Sequence, residues 1–190
     1  MPQSTAIGIL RQEHEAILRM LDASEEVARL LDRGDDVSPE TLTGLLEFFQ
    51  LFADRCHHGK EESLLFPLLE RRGLPREGGP IGVMLTEHEQ GRRLMREMAA
   101  AALAYMAGQA EARPRWSVAA RGYAHLLRQH IAKENNVLFP MAEGLLSQTE
   151  QQELATGFAK VEEEKMGAGT HERLHALMDK LRAEIFQHEP

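Results

Sequence analysis

The chain is 190 residues long with a formal net charge of −8 and a sequence pI near 5.6, so it offers no basic surface for nucleic acid or an anionic membrane. Its 43% hydrophobic and 27% charged content are those of a soluble globular chain with enough length to bury a core. One cysteine, Cys56, excludes an internal disulfide and a thiolate metal cluster. Met1–Ile7 has neither the basic start nor the apolar run of a secretory signal, and no stretch has the length of a membrane span. A cytoplasmic protein is the expectation.

Turn signals at Gly34–Pro39, Gly73–Pro80 and Gly108–Pro114 divide the chain into four segments with apolar residues at helical spacing. The first carries Ile7, Leu10, Ile17 and Leu21, and the second Leu42, Leu45, Phe49, Phe52, Ala53, Leu64 and Leu68. The third carries Ile81, Met84, Leu85, Met95, Met98 and Ala102, and the fourth Trp116, Tyr123, Leu127, Val137, Met141 and Leu145. Ser38 before Pro39 and Glu40 reads as a helix start. The expected fold is all-α: an up-down-up-down four-helix bundle over residues 1–146. Residues 147–190 form a C-terminal extension of one or two helices, with Ser147 or Thr149 starting the first and Thr170 capping the last. That extension packs either on the bundle or against a second copy in a homodimer.

The two halves resemble each other. Glu13-His14-Glu15 is followed by His57, and Glu87-His88-Glu89 by His130; each of those later histidines opens H-x-x-K-E-x-x-x-L-F-P. Such self-similarity implies two helix hairpins related by a pseudo-twofold. His14 lies between Leu10 and Ile17, and His88 between Met84 and Met95. His57 follows Phe49 and Ala53, and His130 follows Tyr123 and Leu127. Glu61 precedes Leu64 and Leu68, and Glu134 precedes Val137 and Met141. All six therefore face the core by the periodicity that defines it. His58 and Glu62 fall on a neighbouring stripe with Asp54 and Arg55, which is expected to be more exposed.

A His and a carboxylate four residues apart are neighbours on a helix face and can ligate the same or adjacent metals. Two carboxylates left unpaired in a core are each costly by several kcal/mol in order of magnitude. Lys60 and Lys133 precede Glu61 and Glu134 by one residue and point about 100° away on a 3.6-residue helix, so they read as flanking residues. A bound cation is the economical compensation. Four imidazoles and two carboxylates suit iron rather than calcium or magnesium, and two facing carboxylates can bridge a pair of ions. Met84, Met95, Met98 and Met141 read as core filling, Cys56 as a packed thiol, and His125 and His188 as solvent-facing.

This arrangement resembles the hemerythrin-like HHE cation-binding domain over about residues 7–146. The resemblance implies a four-helix bundle holding two non-haem iron ions, Fe2+ or Fe3+, with an oxo bridge allowed and both glutamates bridging. It assigns His14, His57, Glu61, His88, His130 and Glu134 as ligands, with His58 as a further candidate ligand or supporting residue. Oxygen-carrying hemerythrin has another His one turn into the third helix, where this chain has Arg92, and ends on HxxxxD where this chain has HxxxE. Reversible oxygen carriage is therefore not expected. The leading expectation is a protein that binds, senses or handles a small diatomic or peroxide ligand (O2, NO, peroxide) or iron itself. A di-iron oxidoreductase or an iron–sulfur repair factor is the alternative, and a purely structural metal the third. His171 and His175, four residues apart in the extension, read as helix-surface residues.

Overall fold

The computed structural model describes residues 5–167 and 169–186; the expectations for Met1–Ser4 and His188 fall outside them. Six helices and no strand occur among the described residues. Helix α1 is Ala6–Arg33; α2 runs 39–71; α3 is Pro80–Met106; α4 runs 112–145; α5 is Gln148–Met166; α6 is Thr170–Phe186. Their ends are set by local chemistry. The Thr5 and Ser38 side chains accept from the backbone N–H groups of Gly8 and Thr41. Gly34 leaves α1 with φ of 85°, a conformation that suits a residue without Cβ. Ser147 and Glu150 close a reciprocal capping box at the start of α5.

Helices α2 and α4 are not uniformly α. Phe49–His58 and Glu61–Leu65 in α2, and Glu134–Leu138 in α4, are π-helical. The last two lead directly into Phe66-Pro67 and Phe139-Pro140. A proline inside a helix lacks the N–H and crowds the carbonyl four residues back, which the wider π turn accommodates.

This widening shifts the buried face by one residue. Leu65, Phe66 and Leu69 are buried, while Leu64 and Leu68 are only half-buried. In α4, Leu138, Phe139 and Ala142 are buried, whereas Val137 is 51%, Met141 39% and Leu145 41% exposed. Val137, Met141 and Leu145, expected in the core from uninterrupted 3.6-residue spacing, therefore lie outside it.

The apolar interior falls into two clusters. One contains Ile17, Leu21, Phe48, Phe49, Phe52, Met98, Trp116 and Tyr123; the other contains Ile7, Leu10, Leu65, Phe66, Ile81, Met84, Leu138 and Phe139. On each of α1 to α4 a polar layer separates them. His14, His57, His88 and His130 each sit where their helix passes from one cluster to the other. Helices α5 and α6 close the side of the assembly: Leu154 and Phe158 join one cluster, and Leu174, Met178, Leu181 and Ile185 the other. The extension's apolar stripe is thus used within its own chain. No helix among the described residues is long and apolar enough to cross a membrane.

Candidate metal centre

The polar layer is almost sealed from solvent. His14, Glu61 and Glu134 are 0% exposed, His57, His88 and His130 1%, and His58 2%. Four imidazoles are held from behind by their Nδ1 atoms. His57 Nδ1 donates to Glu13 Oε2 at 2.8 Å and His130 Nδ1 to Glu87 Oε2 at 3.0 Å. His14 Nδ1 donates to Asn135 Oδ1 at 3.0 Å, and His88 Nδ1 to Glu62 Oε1 at 2.7 Å. The acceptors assign the Nδ1–H tautomer and turn each Nε2 inward, the arrangement that outer carboxylates impose on metal-ligating histidines.

The pattern obeys the duplication in register. Glu13 and Glu87 are the first residues of the two E-H-E motifs, and each serves the histidine of the following H-x-x-K-E motif. Lys60 bonds the other oxygen of Glu13, and Lys133 the other oxygen of Glu87. Glu62 and Asn135, each following its motif's Glu by one residue, hold His88 and His14 across the layer. These supporting residues were not singled out from sequence, although the duplicated E-H-E and K-E pairs carried the signal. Lys60 is correspondingly no flanking surface residue: its side chain is 1% exposed, lies between Glu13 and Glu162 Oε2 (3.1 Å), and sits over the Phe158 ring.

Inward, donor atoms converge on one another. His14 Nε2 and His57 Nε2 are 3.0 Å apart, and His88 Nε2 and His130 Nε2 3.2 Å. Glu61 reaches both pairs, with Oε1 3.6 Å from His57 Nε2 and Oε2 3.5 Å from His88 Nε2. Glu134 Oε2 is 3.1 Å from His14 Nε2 and 3.3 Å from His130 Nε2, though not along a hydrogen-bonding direction. All four carboxylate oxygens of Glu61 and Glu134, and both ring nitrogens of His58, lack a hydrogen bond among the described residues. Two groups of four donors result: His14, His57, Glu61 and Glu134; and His58, His88, His130 and Glu61.

His58 departs from expectation. The π-helical turn Phe49–His58 brings it inside beside His57, and its ring stacks on His88 with centroids 3.8 Å apart. Glu62 stays at the rim, where it takes Arg92 Nη2 at 2.8 Å as well as His88. Arg92 also bonds Asp54 Oδ1 at 2.8 Å. The two halves are unequal here, because Ile131 stands where the first half has His58. Elsewhere, His125 is exposed, Cys56 is buried, and His171 and His175 belong to neither donor group.

The electrostatics show what is missing from a protein-only balance. Burial, then the facing carboxylate of Glu134, pushes Glu61 well above the ordinary carboxylate pKa. Burial would also raise Glu134, but His130 and His14 together outweigh it and hold Glu134 low. Burial opposes a charge on His130, yet the carboxylates of Glu134 and Glu87 bring its pKa up to about 9. Burial lowers the pKa of His57, His58 and His88, keeping them neutral and their lone pairs available. The donor set fits a cation. Ligand atoms about 2.1 Å from one ion and at right angles to each other stand roughly 3.0 Å apart. The mixture of imidazole and carboxylate suits iron and its neighbours.

The sequence profile of the hemerythrin HHE cation binding domain matches residues 5–142. The chain belongs to this family. Among its relatives, an uncharacterized protein of Mycobacterium tuberculosis and one of Mycobacterium bovis are each 28% identical over 163 residues, covering 86% of this chain and 63% of theirs. The iron-sulfur cluster repair protein YtfE of Escherichia coli is 32% identical over 109 residues, 55% of this chain and 49% of YtfE. The chain thus spans less than two thirds of each of these relatives. Within this HHE domain Arg92, at the place of the extra hemerythrin histidine, serves as an ion-pair hub, while His58 approaches the centre from α2.

Proposed function

We propose that this HHE domain holds two non-haem iron ions in an up-down-up-down bundle over residues 1–146, with 147–190 as a helical brace. One observation carries the reading: two buried donor groups share Glu61, and their carboxylates have no other partner. In this reading His14, His57 and Glu134 complete one group with Glu61, and His58, His88 and His130 the other. Both glutamates stand where they can join the two ions. Bound iron would supply redox capacity and coordination positions for a small ligand such as O2, NO or peroxide. The chain's own residues supply the rest. Glu13, Glu87, Glu62 and Asn135 fix the rings, and the two apolar clusters restrict water above and below. Burial keeps the imidazoles of His57, His58 and His88 neutral. Binding, sensing or handling such a ligand, or iron itself, is the function this supports.

The similarity to YtfE favours a second reading, donation of iron to damaged iron–sulfur centres. The two are separated by mixing reduced, iron-loaded protein with O2, NO and peroxide, and separately with a metal-free iron–sulfur acceptor. Rapid spectral change with the small ligands and no iron transfer supports the first; transfer without such changes supports the second. Protein that takes up no iron after anaerobic ferrous reconstitution overturns both.

A further inference from the structure

The two halves of the bundle are alike in sequence but not in cover. In the register that aligns His14 with His88 and His57 with His130, Ile9, Gln12 and Glu13 of α1 match Val83, Thr86 and Glu87 of α3. Lys60, Leu64, Leu68 and Arg72 of α2 match Lys133, Val137, Met141 and Leu145 of α4. In the first half, α5 lies along the groove between these two rows. Gln151 Oε1 accepts from the backbone N–H of Ile7 at 3.3 Å, and Arg72 Nε donates to Glu150 Oε1 at 2.8 Å. A Cβ on Gly157 would stand 2.9 Å from Leu64 Cδ1, so the glycine permits the close approach. One residue and then one turn further on, Phe158 and Glu162 cover Lys60.

Among the described residues nothing fills the matching groove of the second half. Val137, Met141 and Leu145 are exposed and Val83 is 46% exposed, whereas Ile9, Leu64 and Leu68 are half-buried. Against Ile9, Gln12 and Glu13, under α5 and α6, a cavity of about 280 Å3 remains; against Val83, Thr86 and Glu87 it is about 640 Å3. The lysines differ in the same sense. Lys60 divides its three donors between Glu13 and Glu162, while Lys133 bonds Glu87 and stays accessible to a second carboxylate. Single exposed apolar residues are ordinary, but a row of them along a groove that ends on an accessible cation marks an interaction surface.

We infer that the α3/α4 groove docks an amphipathic helix of a partner protein, and that α5 shows what that helix must offer. Leu154, Gly157, Phe158 and Glu162 share one helical face, the spacing with which a helix seats in an apolar groove. In the partner, a small residue would lie over Val137, and an aromatic residue with a carboxylate one turn later would meet Lys133. A second copy of the chain does not supply this helix, because its own α5 is engaged by its α1 and α2. Iron content plays no part in the fit, which concerns the outside of the bundle.

The test is fluorescence anisotropy of a labelled synthetic peptide, residues 147–166 of this chain, titrated with the whole protein. Saturable binding is expected. Val137→Glu and Met141→Glu should each weaken it about tenfold, the scale of a residue central to an interface. Val118→Glu, at an exposed position nearer the other end of α4, should leave it unchanged. A peptide carrying Glu162→Lys should bind more weakly, since it meets Lys133 with like charge. Circular dichroism checks that each variant keeps its helix content. Absence of saturable binding overturns the inference. So does binding that neither Val137→Glu nor Met141→Glu weakens, which would place the peptide on the α1/α2 groove by exchange with α5. Sedimentation equilibrium of the chain alone is the remaining arm: a dimer that Val137→Glu dissociates would give the groove to a second copy and overturn the assignment to a partner helix.

Discussion

Lys60 and Lys133 occupy the same step of the duplicated H-x-x-K-E motif, yet the first side chain is 1% exposed and the second 40%. Each grips the glutamate that holds a histidine of the centre. The difference is the extension. Helix α5 lays Phe158 and Glu162 over Lys60, and Lys133 has no such cover. The two halves of the layer are therefore braced unequally.

Replacing Lys60 by Ala leaves the buried Glu13 carboxylate without its cation, and stability of the metal-free protein should fall by about 3–5 kcal/mol. Lys133→Ala, at a solvent-screened pair, should cost about 1 kcal/mol or less. Urea unfolding of both variants in the presence of chelator checks this. Equal losses would show that covering Lys60 has no energetic consequence.

Glu61 points the other way. Its oxygens have no hydrogen bond, and Glu134 faces it, so without metal it is a destabilising group. Its pKa is raised on folding, so the strain is greatest at a pH above that raised value, where the carboxylate would have to ionise. Glu61→Gln should stabilise metal-free protein near neutral pH by about 1–3 kcal/mol, the scale of an unsatisfied buried polar group, while reducing iron content. Denaturant midpoints with chelator, set beside metal analysis, test both halves. A metal-free variant less stable than the parent would mean that the folded protein satisfies the Glu61 carboxyl without a metal.

How much of this was legible in the sequence follows from where helical periodicity holds. His14 and His88 lie in uninterrupted α-helix, and the 3.6-residue stripe placed both inside. Glu61 and Glu134 were also placed inside, although the residues invoked beside Glu134, Val137 and Met141, are exposed. The π turns before Pro67 and Pro140 displaced the stripe by one residue, and the turn ending at His58 brought that ring inward. Leu-Phe-Pro was visible as a motif, but its effect on phase requires the backbone. Glu13, Glu87, Lys60 and Lys133 were visible as repeats. Their partnership crosses from one helix to another, which spacing along a single helix does not reveal.

The capping box of α5 gives a pH dependence of definite sign. Backbone and side-chain hydrogen bonds from Ser147, aided by Arg72, lower the Glu150 pKa from 4.5 to about 2. A carboxylate depressed on folding stabilises above its unfolded pKa, and that contribution is lost as pH falls through about 4.5 toward about 2. Glu150→Gln should therefore lower the urea midpoint at pH 7, with the gap from the parent narrowing as pH drops below about 4.5. A gap independent of pH would assign the cap's contribution to shape rather than charge.

His58 tests the inequality of the two donor groups most directly, because the second half has Ile131 in its place. His58→Ile removes one imidazole from the group with His88 and His130 and none from the group with His14 and His57. Lost support of this kind typically weakens metal binding about 10–100-fold, and a lost ligand should do at least as much. In a chelator competition on the iron-loaded variant, one equivalent should leave at a lower chelator concentration while the other stays at the parental one. Glu87→Gln, which loosens His130 from behind, should weaken the same equivalent. If His58→Ile weakens both ions equally, Glu61 couples them too tightly for either to be held alone. If it weakens neither, His58 is packing against His88 without ligating.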